Sequence, residues 1–225
     1  MSFAADLFSA AGRTAVITGG GAGLGYWMAE TWVKNGGRVY INGRREEPLK
    51  QAVAKLNVIS KDSAFYAVAD VATKEGVEKL AREVASRETS LDVLVNNAGI
   101  GLFDSQEPGA ILPTFDPDAW SQLFSLNAWS PAAVTSAFAP LLVEAAKKGE
   151  GRGSVILISS IADSMWFAAT PMTGKADKLV PMKRNGNAED ISGAFLFLAT
   201  KASAYMTGQK FAVDGGWSLI VNGRS

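Results

Sequence analysis

The stretch Thr18-Gly19-Gly20-Gly21-Ala22-Gly23-Leu24-Gly25 (TGGGAGLG) decides the fold class of this chain. It follows a short β-branched run, Thr14–Thr18 (TAVIT), and it leads into a helical pattern over Leu24–Asn35. Glycines between a strand and a helix allow positive φ angles and let backbone N–H groups approach a phosphate closely. The sequence therefore predicts a nucleotide-binding turn, backed by the positive end of the following helix.

The spacing of these glycines, Gly19-x3-Gly23-x-Gly25, differs from the strict G-x-G-x-x-G fingerprint of dinucleotide-binding folds. A glycine-rich turn can also serve only as a tight connection, and class I methyltransferases use a similar one. The turn alone therefore predicts a nucleotide site without choosing between these classes of protein.

Strand and helix patterns alternate along the first 160 residues. Further strands are predicted at Arg38–Asn42, Ala64–Val71, Leu91–Asn96 and Ser154–Ser159, and helices at Glu46–Asn57, at Lys74–Arg87 and within Pro117–Lys148, where Pro131 and Pro140 are expected to interrupt the helix. Apolar strands separated by helices of this length predict a parallel sheet covered on both faces, which is the doubly wound, Rossmann-type α/β fold. We expect residues 1–225 to form one such domain.

The composition excludes several classes of function. The chain has 22 Lys+Arg against 22 Asp+Glu, which removes the electrostatic case for nucleic acid or an anionic membrane as a partner. It has no Cys and no His, which excludes thiolate zinc sites, cysteine nucleophiles and imidazole catalysis, and we expect no metal. The N-terminus has no signal-peptide pattern and no apolar run approaches 18 residues, which predicts a soluble, cytoplasmic protein.

The end of the second predicted strand bears on the choice of cofactor. In dinucleotide-binding folds, an acidic residue about 20 residues after the glycine turn binds the ribose 2′-hydroxyl. Here that place is taken by Asn42-Gly43-Arg44-Arg45, which has no carboxylate. Two guanidinium groups suit a 2′-phosphate, so NADP(H) is favoured over NAD(H). The alternative is a pair of solvated arginines before a helix.

Several motifs together resemble those of the classical short-chain dehydrogenase/reductase family. They are TGGGAGLG, Asp70 after the third strand, Asn96-Asn97-Ala98-Gly99 after the fourth, Asn127 in the long helix, Ser159-Ser160 after the fifth strand, and Met206-Thr207-Gly208-Gln209 and Val213-Asp214-Gly215-Gly216 near the C-terminus. The pairing of the glycine turn with NNAG is specific and argues against a methyltransferase. The sequences of these motifs are most similar to those of the 3-oxoacyl-thioester and carbonyl reductase branch.

The resemblance implies hydride transfer between a nicotinamide and a carbonyl or secondary alcohol carbon of a small molecule, in a homo-oligomer. The cofactor-binding residues that it implies are Gly19, Gly21, Gly23, Leu24 and Gly25 at the pyrophosphate, Arg44 at the 2′-phosphate, Asp70 and Val71 at the adenine, and Asn97, Ala98 and Gly99 on the ribose side. Of the catalytic residues, Ser160 would hydrogen-bond the substrate oxygen. Asn127 would hold a proton-relay water through its main chain.

The proton donor of the family has no counterpart here. In the family a Tyr stands thirteen residues after the serine and a Lys four residues later, but these positions hold Thr173 and Asp177, and no Tyr occurs between Tyr66 and Tyr205. After Ser160 no helical or strand pattern is clear until a helix at Ala188–Thr200 and a last strand at Gln209–Val213. The sequence therefore predicts that a block with the catalytic helix and the sixth strand is missing near Pro171-Met172.

Such a loss has structural and functional consequences. In the family the sixth strand lies between the fifth and the last, so its absence leaves strand edges unpaired or forces a new pairing. Three hypotheses stay open: an NADP(H)-dependent reductase whose internal segment is lacking from this sequence, a shortened inactive isoform, and a non-enzymatic NADP(H)-binding protein. We expect no appreciable carbonyl reduction by the 225-residue chain.

Overall fold

The computed structural model describes residues 2–101, 116–160 and 180–221. The strands in these ranges are β1 (Thr14–Thr18), β2 (Arg38–Gly43), β3 (Ala64–Val68), β4 (Val93–Asn96) and β5 (Ser154–Leu157). The α-helices are α1 (Phe3–Leu7), α2 (Gly23–Lys34), α3 (Glu46–Ile59), α4 (Lys74–Ala85), α5 (Pro117–Phe124), α6 (Ser130–Ala146), α7 (Ala188–Ala199) and α8 (Trp217–Val221). All five strands form one parallel sheet in the order β3-β2-β1-β4-β5, which confirms the doubly wound, Rossmann-type fold.

Alternating side chains of the central strands fill a separate core on each face of the sheet. Ile17 of β1 packs with α2, α3 and α7, whereas its neighbour Val16 packs with α4 and α6. Trp32 of α2 is fully buried on the first face, with its ring centroid 5.8 Å from that of Phe195 in α7. Phe138 of α6 is fully buried on the second face. Burial on both faces is why the strands read as continuous apolar runs.

The long helical region is continuous where an interruption was expected. A π-helical segment, Ser125–Trp129, joins α5 to α6, and Pro131 is the second residue of α6. Pro140 lies inside α6 and does not end it, so that expectation was wrong. Pro140 and Ser136 are both exposed, so water can satisfy the Ser136 carbonyl that Pro140 leaves without a partner.

The same region is, among the described residues, the one helical stretch long and apolar enough to cross a membrane by length and composition. Its most apolar window, within Pro117–Ala146, has a mean hydropathy of 1.2, and 28% of that window is buried. Val134, Phe138 and Leu142 of this stretch belong to the core under the sheet. Core helices of soluble proteins meet the same criterion, so length and composition alone do not argue for a span.

The prediction of a last strand at Gln209–Val213 was wrong. These residues form no strand, and the side chains of Phe211 and Val213 are 52% and 43% exposed. A strand needs a neighbour for its backbone N–H and C=O groups. The described sheet ends at β5, so no described strand pairs with Gln209–Val213.

The side chains of β5 are buried on one face of the sheet and exposed on the other. Ile156 points into the first core and is 8% exposed, next to Phe195 of α7. Val155 and Leu157 point to the opposite face and are 39% and 61% exposed. These two apolar side chains are therefore only partly covered by the described part of the chain.

We expect two substitutions on this strand to have very different effects. Ile156→Ala should lower the free energy of unfolding by about 2–5 kcal/mol, because it leaves a cavity in the core. Leu157→Ala should change it by less than about 0.5 kcal/mol, because the side chain is exposed. Urea-induced unfolding of the two variants beside the parent chain measures both. Equal losses would mean that Leu157 is covered in solution.

The start of α7 is fixed by one carboxylate. Asn187 caps the helix, and its own backbone N–H donates to Asp190 Oδ2 at 2.8 Å. Arg184 binds the same carboxylate through both terminal nitrogens, at 2.5 and 2.8 Å. The guanidinium and the backbone donor hold the pKa of Asp190 well below its usual range. A carboxyl with a lowered folded-state pKa stabilises the fold above its unfolded pKa, near 3.9, and this contribution is lost as the pH falls further.

Asp190→Asn should therefore lower the melting temperature at neutral pH. The difference from the parent chain should shrink as the pH is lowered from about 5 towards 3, where the unfolded carboxyl becomes protonated. Glu189→Gln is the matched control, because it removes a carboxylate from the same helical turn outside this ion pair. Thermal unfolding across this range measures it, and a difference independent of pH would contradict the assignment.

Candidate functional site

A cavity of about 380 Å³ lies at the carboxyl ends of the central strands. Its wall comes from the turn after β1, the segment after β2, the segment after β3, the segment after β4 and the π-helical segment. The lining residues are Gly19, Gly21, Ala22, Asn42, Gly43, Arg44, Arg45, Pro48, Leu49, Ala69, Asp70, Val71, Ala98, Gly99, Ile100 and Leu126. In open α/β sheets, ligands bind in the crevice at this edge, where the strand order reverses.

The glycine turn has the geometry of an anion cradle. Gly19 and Gly23 have φ angles of +65° and +54°, in the left-handed region that favours glycine. A Cβ on Gly25 would collide with the carbonyl oxygen of Gly19, so the helix can approach the turn only without one. The N-cap of α2, Ala22, offers no side-chain hydrogen bond, so its first N–H groups, including that of Leu24, are left for a ligand.

Thr18 and Asn97 bind the end of β1 to the end of β4. The buried Thr18 Oγ1 accepts the backbone N–H groups of Asn97 at 2.9 Å and Ala98 at 3.0 Å, and it lies 3.3 Å from Val95 O as a donor. Asn97 Nδ2 donates to the carbonyls of Thr18 at 2.9 Å and Gly19 at 3.2 Å. These bonds fix the glycine turn against the NNAG segment.

The segment after β2 presents two cations to the cavity. Asn42 is buried, and its Nδ2 donates to the carbonyls of Ala67 at 3.1 Å and Ala69 at 3.0 Å, so this side chain is used in joining β2 to β3. Arg44 and Arg45 both line the cavity. Neither guanidinium forms an ion pair with any residue in the described ranges.

Acidic side chains at the start of α3 do not neutralise these arginines. Lys50 Nζ lies 3.2 Å from Glu46 Oε1 and 3.3 Å from Glu47 Oε1. The phenol of Tyr66 also donates to Glu46, at 3.2 Å, and these bonds lower the pKa of Glu46. Glu46 and Glu47 are therefore paired with Lys50, and among the described residues the carboxylate in the cavity wall is that of Asp70.

Asp70 and Val71 form the wall after β3. Asp70 Oδ1 accepts the N–H of Ala72 at 3.0 Å, and its carbonyl accepts both the N–H and the hydroxyl of Thr73. Thr73 in turn caps α4 through the N–H of Gly76, at 3.1 Å. Val71 is 3% exposed. Asp70 is thus held by its turn, and an apolar surface lies beside it.

Asn127 lies beside the cavity and is bonded to Ile100, a residue of the cavity wall. Its Oδ1 accepts the N–H of Ile100 at 3.0 Å, and its Nδ2 donates to the Ile100 carbonyl at 2.8 Å. Asn127 lies in the π-helical segment, a local distortion that is frequent at functional sites. The segment after β4, with Gly99 in the cavity wall, is therefore anchored to the long helix by one side chain.

The structure brings most of the predicted cofactor residues together. Gly19, Gly21, Arg44, Asp70, Val71, Ala98 and Gly99 line the cavity, while Gly23, Leu24, Gly25 and Asn97 shape the turn behind it. Sequence reasoning missed Ala22, Pro48, Leu49, Ile100 and Leu126, whose apolar character gives no signal of a ligand. No described group of His, Cys, Asp or Glu could hold a metal ion.

The catalytic side of the prediction is only partly described. Ser160 is exposed, lies three residues beyond β5 and is not part of the cavity wall. Thr173, Asp177 and the junction predicted near Pro171-Met172 lie outside the described residues. The site that can be built from described residues is therefore the cofactor side.

Comparison with protein families identifies the chain. Residues 13–172, more than half of the sequence, match the family described as short chain dehydrogenase. The chain belongs to the short-chain dehydrogenase/reductase family. A second match, described as Enoyl-(Acyl carrier protein) reductase, covers residues 167–218. The two matches meet at 167–172, which includes the junction predicted from the sequence.

Curated relatives of this oxidoreductase family align along nearly the whole chain. A tropinone reductase homolog from Arabidopsis thaliana is 29% identical over 264 residues, covering 94% of this chain and 92% of the relative. A rhamnolipids biosynthesis 3-oxoacyl-[acyl-carrier-protein] reductase from Pseudomonas aeruginosa is 27% identical, covering 94% and 98%. Since 94% of 225 residues is about 212, about 50 of the 264 aligned positions have no residue from this chain. The missing internal segment predicted from the sequence agrees with this difference.

Solved short-chain dehydrogenase/reductase structures share the fold. The Pseudomonas aeruginosa RhlG/NADP active-site complex has a TM-score of 0.83 at 26% identity, covering 95% of this chain and 99% of that one. A gluconate 5-dehydrogenase from Burkholderia cenocepacia in complex with NADP and tartrate has a TM-score of 0.79 at 27% identity, covering 96% and 98%. A 7α-hydroxysteroid dehydrogenase complexed with NADH has a TM-score of 0.81 at 22% identity, which shows the fold alone.

Thr18→Val should weaken both the fold and the site. The substitution keeps the shape of the side chain but leaves the N–H groups of Asn97 and Ala98 without their acceptor. Burying unsatisfied donors costs about 1–3 kcal/mol, and we expect a loss of unfolding free energy in that range. Urea unfolding measures it. Thr18→Ser, which keeps the hydroxyl, is the control, and equal losses in the two variants would assign the effect to packing.

Proposed function

We propose that this chain is an NADP(H)-binding member of the short-chain dehydrogenase/reductase family that lacks the proton donor for carbonyl reduction. The observation that carries the proposal is the cavity wall, which joins a glycine turn without a side-chain cap to two arginines that form no ion pair with the described residues. Family membership supports an oxidoreductase ancestry. The sequence between Tyr66 and Tyr205 contains no Tyr to act as the acid.

The residues present fit the adenosine and phosphate parts of the cofactor. A Cβ on Gly19 would lie 3.0 Å from Asn97 Nδ2 and 3.1 Å from Ala98 Cα, so a glycine is needed where the turn approaches the NNAG segment. In our proposal, the N–H groups at the start of α2, around Gly23 and Leu24, bind that pyrophosphate. Asp70 and Val71 would flank the adenine, and Asn97, Ala98 and Gly99 would lie along the ribose.

Two features favour NADP(H) over NAD(H). The end of β2 has no carboxylate for a ribose 2′-hydroxyl, because Asn42 occupies that place and bonds to β3. Arg44 and Arg45 instead offer guanidinium donors that match a phosphate. The RhlG structure and the gluconate 5-dehydrogenase structure are NADP complexes, which agrees with this choice.

When bound, the nicotinamide supplies or accepts a hydride. On the protein side, Ser160 would hydrogen-bond the oxygen of a carbonyl or secondary alcohol substrate, and the main chain at Asn127 would hold a water for proton relay. The names of the relatives support a ketone or 3-oxoacyl-type substrate for a form of the enzyme that carries the missing segment. No Tyr in this sequence stands where it could protonate the product alkoxide.

The alternative to a reductase whose internal segment is lacking from this sequence is a protein that is genuinely shortened or that only binds the cofactor. A shortened isoform or a non-enzymatic binder would keep the cofactor cavity and have no use for Ser160, which is exposed and outside that cavity. In either case we propose that residues 1–225 form one domain, which acts in the cytoplasm and has no nucleic acid or membrane partner. We also propose that this domain self-associates.

Arg44→Ala should reduce NADP⁺ affinity about 10- to 100-fold and leave the weaker NAD⁺ affinity unchanged. A charge-assisted hydrogen bond contributes about 1.5–3 kcal/mol, and 1.4 kcal/mol is a factor of ten. Isothermal titration calorimetry measures both ligands. Arg82→Ala removes an exposed arginine of α4 outside the cavity and is the control. Equal losses for both ligands would contradict a contact with the 2′-phosphate.

The 225-residue chain should not oxidise NADPH appreciably with ketones or 3-oxoacyl thioesters. Removal of a general acid typically costs about 10²–10⁴-fold, and poor alignment of the cofactor costs more. The loss of NADPH absorbance measures turnover, with an intact short-chain reductase assayed in parallel. Robust oxidation by the 225-residue chain would overturn the proposal. The intact mass of the natural protein then separates a reductase with an internal segment lacking from this sequence from a shortened chain. A mass above that of 225 residues would support the reductase.

A further inference from the structure

We infer that the Asn185-Gly186 pair is a site of spontaneous covalent modification, at which the asparagine is converted to isoaspartate and Arg184 directs which product forms. The site lies in the segment before α7, away from the residues that line the cofactor cavity. The inference is therefore independent of the proposed function.

The chain contains four Asn-Gly pairs, at 35–36, 42–43, 185–186 and 222–223, and the last of them lies outside the described residues. In such a pair the backbone nitrogen of the glycine can attack the side-chain carbonyl carbon of the asparagine, because glycine has no side chain to hinder the approach. A bond forms from this nitrogen to Cγ, and the Cγ–Nδ2 bond breaks. The side-chain nitrogen leaves as ammonia, with the proton of the glycine N–H. The reaction therefore needs an asparagine amide and a glycine N–H that are both free to move.

Two of the three described pairs are held in place by hydrogen bonds. Asn42 is buried, and its Nδ2 donates to two backbone carbonyls, at 3.1 and 3.0 Å. Asn35 Nδ2 donates to the Thr31 carbonyl at 2.8 Å, and the N–H of Gly36 donates to the Val33 carbonyl at 3.0 Å. Neither asparagine can react until these bonds break.

The third described pair, Asn185-Gly186, is not held in this way. Both residues are exposed, and neither the Asn185 side chain nor the Gly186 N–H forms a hydrogen bond with any residue in the described ranges. A Cβ on Gly186 would have one described atom outside its chain neighbours within 4 Å, Asp190 Oδ2 at 3.9 Å. Because two hydrogen bonds must break before Asn35 reacts, we expect Asn185 to react about 10- to 100-fold faster than Asn35.

Arg184 acts on the second half of the reaction. Loss of ammonia leaves a cyclic imide, and water then opens it at one of its two carbonyl carbons. Opening at the former side-chain carbon gives aspartate, whereas opening at the former backbone carbon gives isoaspartate. Arg184 Nη1 donates to the backbone oxygen of Asn185 at 3.1 Å. A cation at this oxygen stabilises the negative charge that develops there when water attacks, which favours isoaspartate.

The product changes the start of α7. In isoaspartate the former backbone carbonyl becomes a free carboxylate, so a negative charge replaces the neutral oxygen that Arg184 binds. Arg184 is also the partner of Asp190, whose carboxylate accepts the N–H of the N-cap residue Asn187. Two carboxylates then compete for one guanidinium, and the extra backbone methylene shifts the chain two residues before the cap. We therefore expect modification to lower the melting temperature.

Peptide mapping of the full 225-residue chain, after incubation at physiological temperature and mildly alkaline pH, tests the inference. Conversion at Asn185 should be about 10- to 100-fold faster than at Asn35 in the folded chain, and the two rates should become equal in urea. Asn185→Gln should abolish both the conversion and the fall in melting temperature, because the longer side chain closes the imide ring much more slowly. Asn35→Gln is the matched control and should change neither.

The ratio of isoaspartate to aspartate tests the part played by Arg184. The ratio should be higher in the folded chain than in urea, and Arg184→Ala should lower it to the value in urea while the site stays reactive. Arg82→Ala removes an exposed arginine of α4 and should leave the ratio unchanged. Equal rates at Asn185 and Asn35 in the folded chain would overturn the site, and a ratio unaffected by Arg184→Ala would overturn the directing contact.

Discussion

The hydrogen bonds between Thr18 and the NNAG segment hold together the part of the molecule on which everything else depends. They join the ends of β1 and β4, which are neighbours in the sheet but 77 or more residues apart in sequence. Gly19 and Gly25 can approach Asn97 closely because they have no Cβ. The turn, the two strand ends and the floor of the cavity are therefore one interlocked unit. Among the described residues, none of these hydrogen bonds involves β5 or the chain that follows it.

That independence explains how a cofactor cavity can persist while the catalytic side is lost. The described wall is completed by residues at and after the end of β2, by residues after β3 and by Leu126, all earlier in the chain than the junction near Pro171. The elements that would cover β5 come later in the chain, and Leu157 of β5 is exposed to solvent. Binding and chemistry are thus carried by separable parts of the same sheet, and this division supports binding without turnover.

Most of this fold and cavity could be predicted from the sequence because the signals are local. Apolar runs bounded by glycines located the strands, and the glycines of the turn specified the start of α2. The missing block could also be predicted, since the thirteen-residue count from Ser160 reached Thr173. The prediction at Gln209–Val213 failed because its local pattern suits a strand but its partner is absent. Leu49 and Leu126 lie in the cavity wall because of tertiary packing, which no local pattern predicts. The π-helical segment at Asn127 likewise has no local sequence signal.

The open side of β5 has a consequence for how the chain behaves at high concentration. The strand Ser154–Leu157 carries neither a charge nor a proline, the devices that discourage native sheets from pairing with other chains. Val155 and Leu157 are exposed, and no described strand pairs with the outer edge of β5, so intermolecular association would compete with solubility and chaperones and proteases could recognise the same surface. The abundance of the 225-residue chain in a cell would then be set by its rate of removal as much as by its synthesis.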